Sequence, residues 1–137
     1  MTINVANLQK KVRLNPQRIQ KILTTILRRE RIQDVSLSVA FVTARKIRAL
    51  NQKFLKHRYP TDVLAFNLKD TWEIVISTDA AVQNAKRFKT SVQKEITLYL
   101  IHGILHLLGY NDHNSKDIQK MREKERELVN FLSTKTI

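Results

Sequence analysis

Three of the chain's four histidines fall within twelve residues, His102 to His113. His102 and His106 are four apart in an apolar run that reads as helix. Residues at that spacing sit one above the other on a helix face, roughly 5–6 Å apart at Cβ. Two imidazoles so placed can grip one metal ion, as in His-Glu-x-x-His helices. Gly109 stands where a helix would end, in a conformation that costs glycine little. The turn after it can bring His113 back over the same face as a third ligand. Three protein ligands leave a fourth tetrahedral position for water, which is the catalytic type of zinc site. One histidine on an apolar helix is more often a packed or hydrogen-bonded residue. Three together, with a helix-ending glycine between the second and third, favour the metal.

The neighbours refine this chemistry. Glu95 lies seven residues before His102, near the same helix face. It can orient an imidazole, or simply favour the helix start. Gly103 costs on the order of 1 kcal/mol against Ala inside a helix, so a strand or ligand is expected to approach it closely. It also occupies the place where a zinc protease helix carries its general-base Glu. Without that base, a charged phosphodiester is a better substrate than a peptide. A metal can polarise a phosphoryl oxygen and lower the pKa of water, and basic side chains can balance the developing charge. Asp112 is a ligand, a base or a turn residue, with the turn favoured for an Asn-Asp pair.

The totals fit such a substrate. The net charge is +13 over 137 residues, which predicts attraction to polyanions. Seven Lys/Arg and no acid lie in the first 29 residues, and six more with no acid lie between Val35 and Thr61. General solubility charge is the plainer alternative, but the segregation favours an anion-binding protein. The chain has no cysteine, so a metal must use His, carboxylate or water. No apolar run is long enough to span a bilayer, and the first residues lack a signal-peptide pattern. The expectation is one intracellular domain over residues 1–137, with no linker or repeat.

The elements that must position these residues follow from patterning. Ile3 to Leu8 is a weak strand. Asn15 caps a helix with Pro16 at its first position, and Leu14 and Ile19 staple it. Ile19, Ile22, Leu23, Ile26 and Leu27 make its apolar stripe. Val35, Leu37, Val39 and Phe41 alternate as a strand. Thr43 caps a helix holding Ile47, Leu50 and Phe54, and the basic Lys53 to Tyr59 reads as a loop. Val63 to Leu68 and Glu73 to Ser77 are strands. Ser77-Thr78-Asp79 opens a helix ending near Phe88. Thr90 or Ser91 starts the histidine helix. Asn114 or Ser115 caps a last helix through about Leu132, with Ile118, Met121, Leu128, Val129 and Leu132 as its stripe. This order predicts an α+β (α/β-like) fold, a small mixed four-stranded sheet covered by about five helices.

His102-Gly103-Ile104-Leu105-His106-Leu107-Leu108-Gly109-Tyr110, followed by Asp112-His113, resembles the signature of the YbeY family of bacterial rRNA maturation factors. Leu50-Asn51 and Pro60-Thr61-Asp62-Val63-Leu64-Ala65-Phe66 resemble that family's central loop and strand. Glu73-Ile74-Val75-Ile76-Ser77 resembles the next strand, and Glu95 matches an acid before the histidine helix. The similarity runs from about Leu50 to His113. It implies a single-strand-specific, metal-dependent endoribonuclease, usually with zinc, acting in 16S rRNA 3′-end maturation and ribosome quality control in the cytoplasm. Two departures stand out. The family usually reads Gly-Tyr-Asp-His, whereas Asn111 here moves His113 one residue later. An Arg of the family's central loop, which binds the RNA phosphate, is matched by Leu55, with Lys56, His57 or Arg58 near enough to replace it.

The resulting expectation is one zinc ion per chain on His102, His106 and His113, with Asp112 as substitute for the last. Lys56, Arg58 and Glu95 complete the catalytic set. The expected partners are single-stranded rRNA and the small ribosomal subunit, with no membrane and no DNA. Two rivals remain. One is a non-catalytic RNA- or ribosome-binding protein with a structural metal, favoured by Leu55. The other is a metallohydrolase of another substrate.

Overall fold

The computed structural model describes residues 1–55 and 61–135. Among them are four strands and five helices: β1 (Thr2–Asn7), α1 (Pro16–Arg29), β2 (Ser36–Val42), α2 (Ala44–Leu55), β3 (Val63–Asn67), β4 (Trp72–Ser77), α3 (Thr78–Arg87), α4 (Val92–Leu107) and α5 (Ser115–Ser133). The strands form one mixed sheet in the order β1-β2-β4-β3. β2 pairs parallel with β1 and β4, and β3 closes the edge antiparallel to β4. The expected α+β architecture is present, a four-stranded mixed sheet covered by helices.

Register decides which side chains meet the histidine helix. Val39 pairs with Ile74 and Phe41 with Ile76, so these four project from one face. They join Leu23, Ile26 and Leu27 of α1 and Leu100, Ile101, Ile104 and Leu105 of α4 in the larger core. The opposite face is also covered. Val42, Leu64 and Val75 pack with Ile47 of α2 in a second, smaller cluster. The alternation in β2 marks only the first of these faces, because Ala40 and Val42 are themselves apolar.

Capping follows the sequence closely. The Asn15 side chain accepts from the Arg18 N–H at 3.2 Å, with Pro16 at the first helical position. Thr43 Oγ1 accepts from Lys46 N–H, and Asn114 Oδ1 from Asp117 N–H. Two expectations need correction. Helix α2 continues through Leu55, so Lys53 to Leu55 are helical rather than loop. Its N-cap and the burial of Ile47 outweigh the basic composition of its last turn. In α5, Met121, Leu128 and Leu132 are buried, but Ile118 and Val129 are 37% and 41% exposed. The stripe of α5 is therefore narrower than its sequence pattern, and its edge faces outward.

At Gly103, α4 lies close against the sheet. A Cβ placed there would lie 3.0 Å from two Ile74 side-chain carbons and 3.2 Å from a third. Ile74 is fully buried, so it has little room to give way. The expected close approach is thus made by β4. Gly103→Ala should lose about 1–2 kcal/mol, since a fully buried neighbour puts the overpacking at about 2–3 kcal/mol, of which helix propensity returns about 1 kcal/mol. Thermal unfolding should show a fall of roughly 3–8 °C. The added variant Ile74→Val should recover part of it, and an unchanged midpoint in Gly103→Ala would refute the packing argument.

Candidate functional site

Helix α4 is fixed at both ends. Ser91 is the N-cap, its hydroxyl accepting from Lys94 N–H at 3.1 Å. Thr90 instead donates its hydroxyl to Glu95 Oε1 at 2.6 Å. At the other end Leu108 caps the helix and Gly109 turns left-handed at φ 102°. Gly109 N–H bonds the His106 carbonyl and Tyr110 N–H the Leu105 carbonyl. This paired closure holds the last turn, and with it the backbone of His106. Because Ile101, Ile104 and Leu105 point into the core, His102 and His106 are left half-buried on the other side of α4.

There the two imidazoles converge. His102 Nε2 and His106 Nε2 lie 3.0 Å apart, with the rings nearly perpendicular at 76°. His102 Nδ1 lies 3.0 Å from Glu125 Oε1 of α5. A carboxylate only accepts, so His102 donates from Nδ1 to Glu125, and in the neutral ring that leaves Nε2 with a lone pair. His106 Nε2–H then donates to that lone pair. Burial lowers the proton affinity of His106, and neighbouring His102 lowers it further, against weaker opposing effects of Asp112 and Glu125. Neutral imidazoles are the ligating form. Two nitrogens bound at about 2.0–2.1 Å to one tetrahedral ion would stand about 3.3 Å apart. The pair therefore fits a metal ion, provided the proton of His106 Nε2 moves to Nδ1.

The third position is less advanced. Among the described residues no three His, Asp or Glu side chains are grouped to hold an ion. His113 is exposed, and its N–H donates to Asn111 Oδ1 at 3.2 Å. The extra residue thus forms an Asx turn that carries the His113 backbone. His113 is still near enough to His106 to depress its proton affinity slightly.

Asp112 lines the same cavity as His102, a space of about 460 Å³ also bounded by Asp62, Tyr99, Arg122 and Glu125. The wall contains a second polar chain. Asn84 Nδ2 donates to Tyr99 Oη at 2.7 Å and to Asp62 Oδ2 at 3.3 Å. Burial pushes the Tyr99 hydroxyl up to about 12, so it stays protonated. Burial also raises Asp62, with Glu95 adding to the effect and Asn84 and His102 opposing it.

Comparison with known proteins locates this arrangement. A family model described as Endoribonuclease YbeY matches residues 4–133. The chain belongs to the endoribonuclease YbeY family. Endoribonuclease YbeY of Syntrophus aciditrophicus is 34% identical over 144 residues, covering 96% of this chain and 90% of that protein. Endoribonuclease YbeY of Thermotoga petrophila is 40% identical over 116 residues, covering 81% of this chain and 76% of that protein. The solution structure of a Thermotoga maritima protein is 30% identical with a TM-score of 0.66, and the match covers 93% of this chain and 87% of that one.

In this YbeY-family chain the residues chosen from sequence are distributed as follows. His102 and His106 meet, and the turn bearing Asp112 and His113 lies beside them. Lys56 and Arg58 fall outside the described residues. Glu95 is buried and engaged with Thr90 at the start of α4. The carboxylate on the imidazole is instead Glu125, which the sequence reading missed, as it missed Asp62, Asn84 and Tyr99. No spacing rule joins residue 125 to residue 102. Only the packing of α5 on α4 does so.

Proposed function

We propose that the protein is a metal-dependent endoribonuclease of single-stranded RNA, acting in 3′-end maturation of small-subunit rRNA and in ribosome quality control in the cytoplasm. The observation that carries the reading is the convergence of His102 Nε2 and His106 Nε2 beside a cavity of about 460 Å³, in a chain of net charge +13 that belongs to this family. One zinc ion would be held by His102 and His106, with His113, or Asp112 in its stead, as the third ligand. When bound, the ion supplies Lewis-acid polarisation of a phosphoryl oxygen.

The remaining work falls to the chain's own side chains. Glu125 holds His102 in the tautomer that leaves Nε2 free. Gly109 and its closing hydrogen bonds hold the last turn of α4, so His106 keeps its place beside His102. Asn84 ties the Asp62 carboxyl and the Tyr99 hydroxyl together in the cavity wall. Lys56 and Arg58 supply positive charge to the phosphate, in place of the Arg matched by Leu55. That no helix among the described residues is long and apolar enough to cross a membrane is compatible with this setting.

The test is cleavage of an end-labelled single-stranded RNA by the purified protein, as isolated, after chelation and after zinc is restored. Cutting should be lost on chelation and regained with zinc. Cutting that persists undiminished in excess chelator would overturn the metal dependence. An intact strand under all three conditions would overturn the nuclease reading on free RNA.

A further inference from the structure

The cavity beside His102 does not end there. A second one, of about 300 Å³, continues along the seam of α4 and α5, and the two share Leu98, Arg122 and Glu125 as walls. The second carries on past Arg126 and Val129. Ile118, Arg122, Arg126 and Val129 recur at helical spacing, so they form one face of α5. The opposite side of the helix is committed to α1. Lys124 Nζ pairs with Glu30 at 3.0 Å and with Glu127 at 2.6 Å, and the Arg29 guanidinium lies 4.3 Å over the Phe131 ring. On the outward face Arg122 and Arg126 are exposed, and among the described residues neither makes an ion pair. Of the two acids between them, Glu125 is engaged with His102, and Glu123 accepts from Gln119 Nε2 at 3.1 Å and lines a different cavity with Tyr110 and Lys120. Ile118 and Val129 remain 37% and 41% exposed on the same face. The α4–α5 seam is therefore a groove with two uncommitted guanidinium groups one turn apart and apolar surface beside them, leading into the histidine site.

We propose that this groove is the track for the RNA strand beyond the cleavage point. Arg122 and Arg126 pair with successive phosphates, and the flanking bases lie against Leu98, Ile118 and Val129. The proposal rests on the ribonuclease reading and adds to it the direction in which the strand leaves. Charge complementarity selects the occupant. A guanidinium presents donors in a planar fork that matches phosphate oxygens, and single-stranded nucleic acid offers phosphates in series with apolar base faces between them. The two arginines touch no reacting atom in this arrangement. They hold the substrate and do not act in the chemistry.

The test is fluorescence anisotropy with a labelled twelve-nucleotide oligouridylate over a salt series, using the full chain in chelator so that the strand stays whole. Each phosphate contact on a single strand contributes about 0.7 to the slope of log K against log salt. Arg122→Ala/Arg126→Ala should therefore flatten the slope by about 1.4 and weaken binding roughly 10- to 30-fold near 0.1 M salt. Arg122→Lys/Arg126→Lys should keep most of the slope. Lys10→Ala/Arg28→Ala, which removes two exposed charges elsewhere, should leave it nearly unchanged. Because both arginines are exposed, circular dichroism and the melting midpoint should not move. If the two alanine pairs behave alike while the wild type binds and cuts RNA, the groove proposal falls alone. If the wild type does not bind the oligonucleotide at low salt, the ribonuclease reading falls and the groove proposal falls with it.

Discussion

His106→Ala should leave a folded protein that no longer retains metal. Loss of a hydrogen-bonding residue behind a ligand typically costs 10- to 100-fold in metal affinity. Removing one of the two converged donors should exceed that, so the variant's affinity for zinc should fall by more than about 100-fold. The fold should survive for local reasons. The His106 contribution to closing α4 is its carbonyl, which accepts from Gly109 N–H at 3.1 Å and is untouched by the substitution. The ring is only half-buried, and Ala is a better helix former than His. The variant also removes the half-buried imidazole whose proton affinity is held down.

Metal analysis of matched preparations checks the first statement, and thermal unfolding checks the second. Metal at about 100 times its dissociation constant adds about 2.7 kcal/mol to the folded state. The wild-type midpoint should therefore drop on chelation, while the midpoint of His106→Ala should not respond. Wild-type metal content in the variant would remove His106 from the ligand set. Absent metal together with a lost circular dichroism signal would mean that the variant failed to fold, and Gly109→Ala would then serve as the comparison for damage to the same turn. At a φ of 102° that substitution strains the backbone of the turn while removing neither imidazole side chain.

The difference between what was legible and what was not follows the range of the interactions. Asn15 with Pro16, Thr43 and Asn114 announce their helices because capping is complete within four residues. Gly109 announces the end of α4 because a left-handed residue is needed at one defined place. The His102–His106 pair is legible for the same reason, since one helical turn sets its geometry. The end of α2 was misread because the basic composition of the stretch Lys53 to Tyr59 is a weaker guide to Lys53, Phe54 and Leu55 than the packing that holds the helix. Ile118 and Val129 were misread because periodicity gives a face but not how wide a partner covers it. Glu125 was out of reach altogether. Its contact with His102 spans 23 residues and depends on the rotation of α5 about its own axis. Glu95 matched the spacing rule yet sits with Thr90, since the start of α4 offers a closer donor than an imidazole two turns away.

Glu125→Gln separates holding a metal from holding it well. The carboxylate can only accept, so it fixes the His102 proton on Nδ1 and presents the Nε2 lone pair toward His106. An amide of the same shape has both an acceptor and a donor. Rotated one way it preserves the tautomer without the negative charge, and rotated the other it donates to Nδ1 and drives the proton onto Nε2, where it blocks the ligand position. Both outcomes weaken the site, and neither removes a ligand. Zinc affinity should therefore fall by about 10- to 100-fold, less than for His106→Ala, with full occupancy restored at high zinc. Nitrogen chemical shifts of His102 in the metal-free protein give an independent readout: Nε2 should be unprotonated in the wild type and partly protonated in Glu125→Gln. A packing role alone would move neither quantity, because Gln fills the same volume between α4 and α5. Zinc affinity within about twofold of wild type, with an unchanged tautomer, would show that α4 alone sets the imidazole, and that the carboxylate of Glu125 serves the helix interface rather than the site.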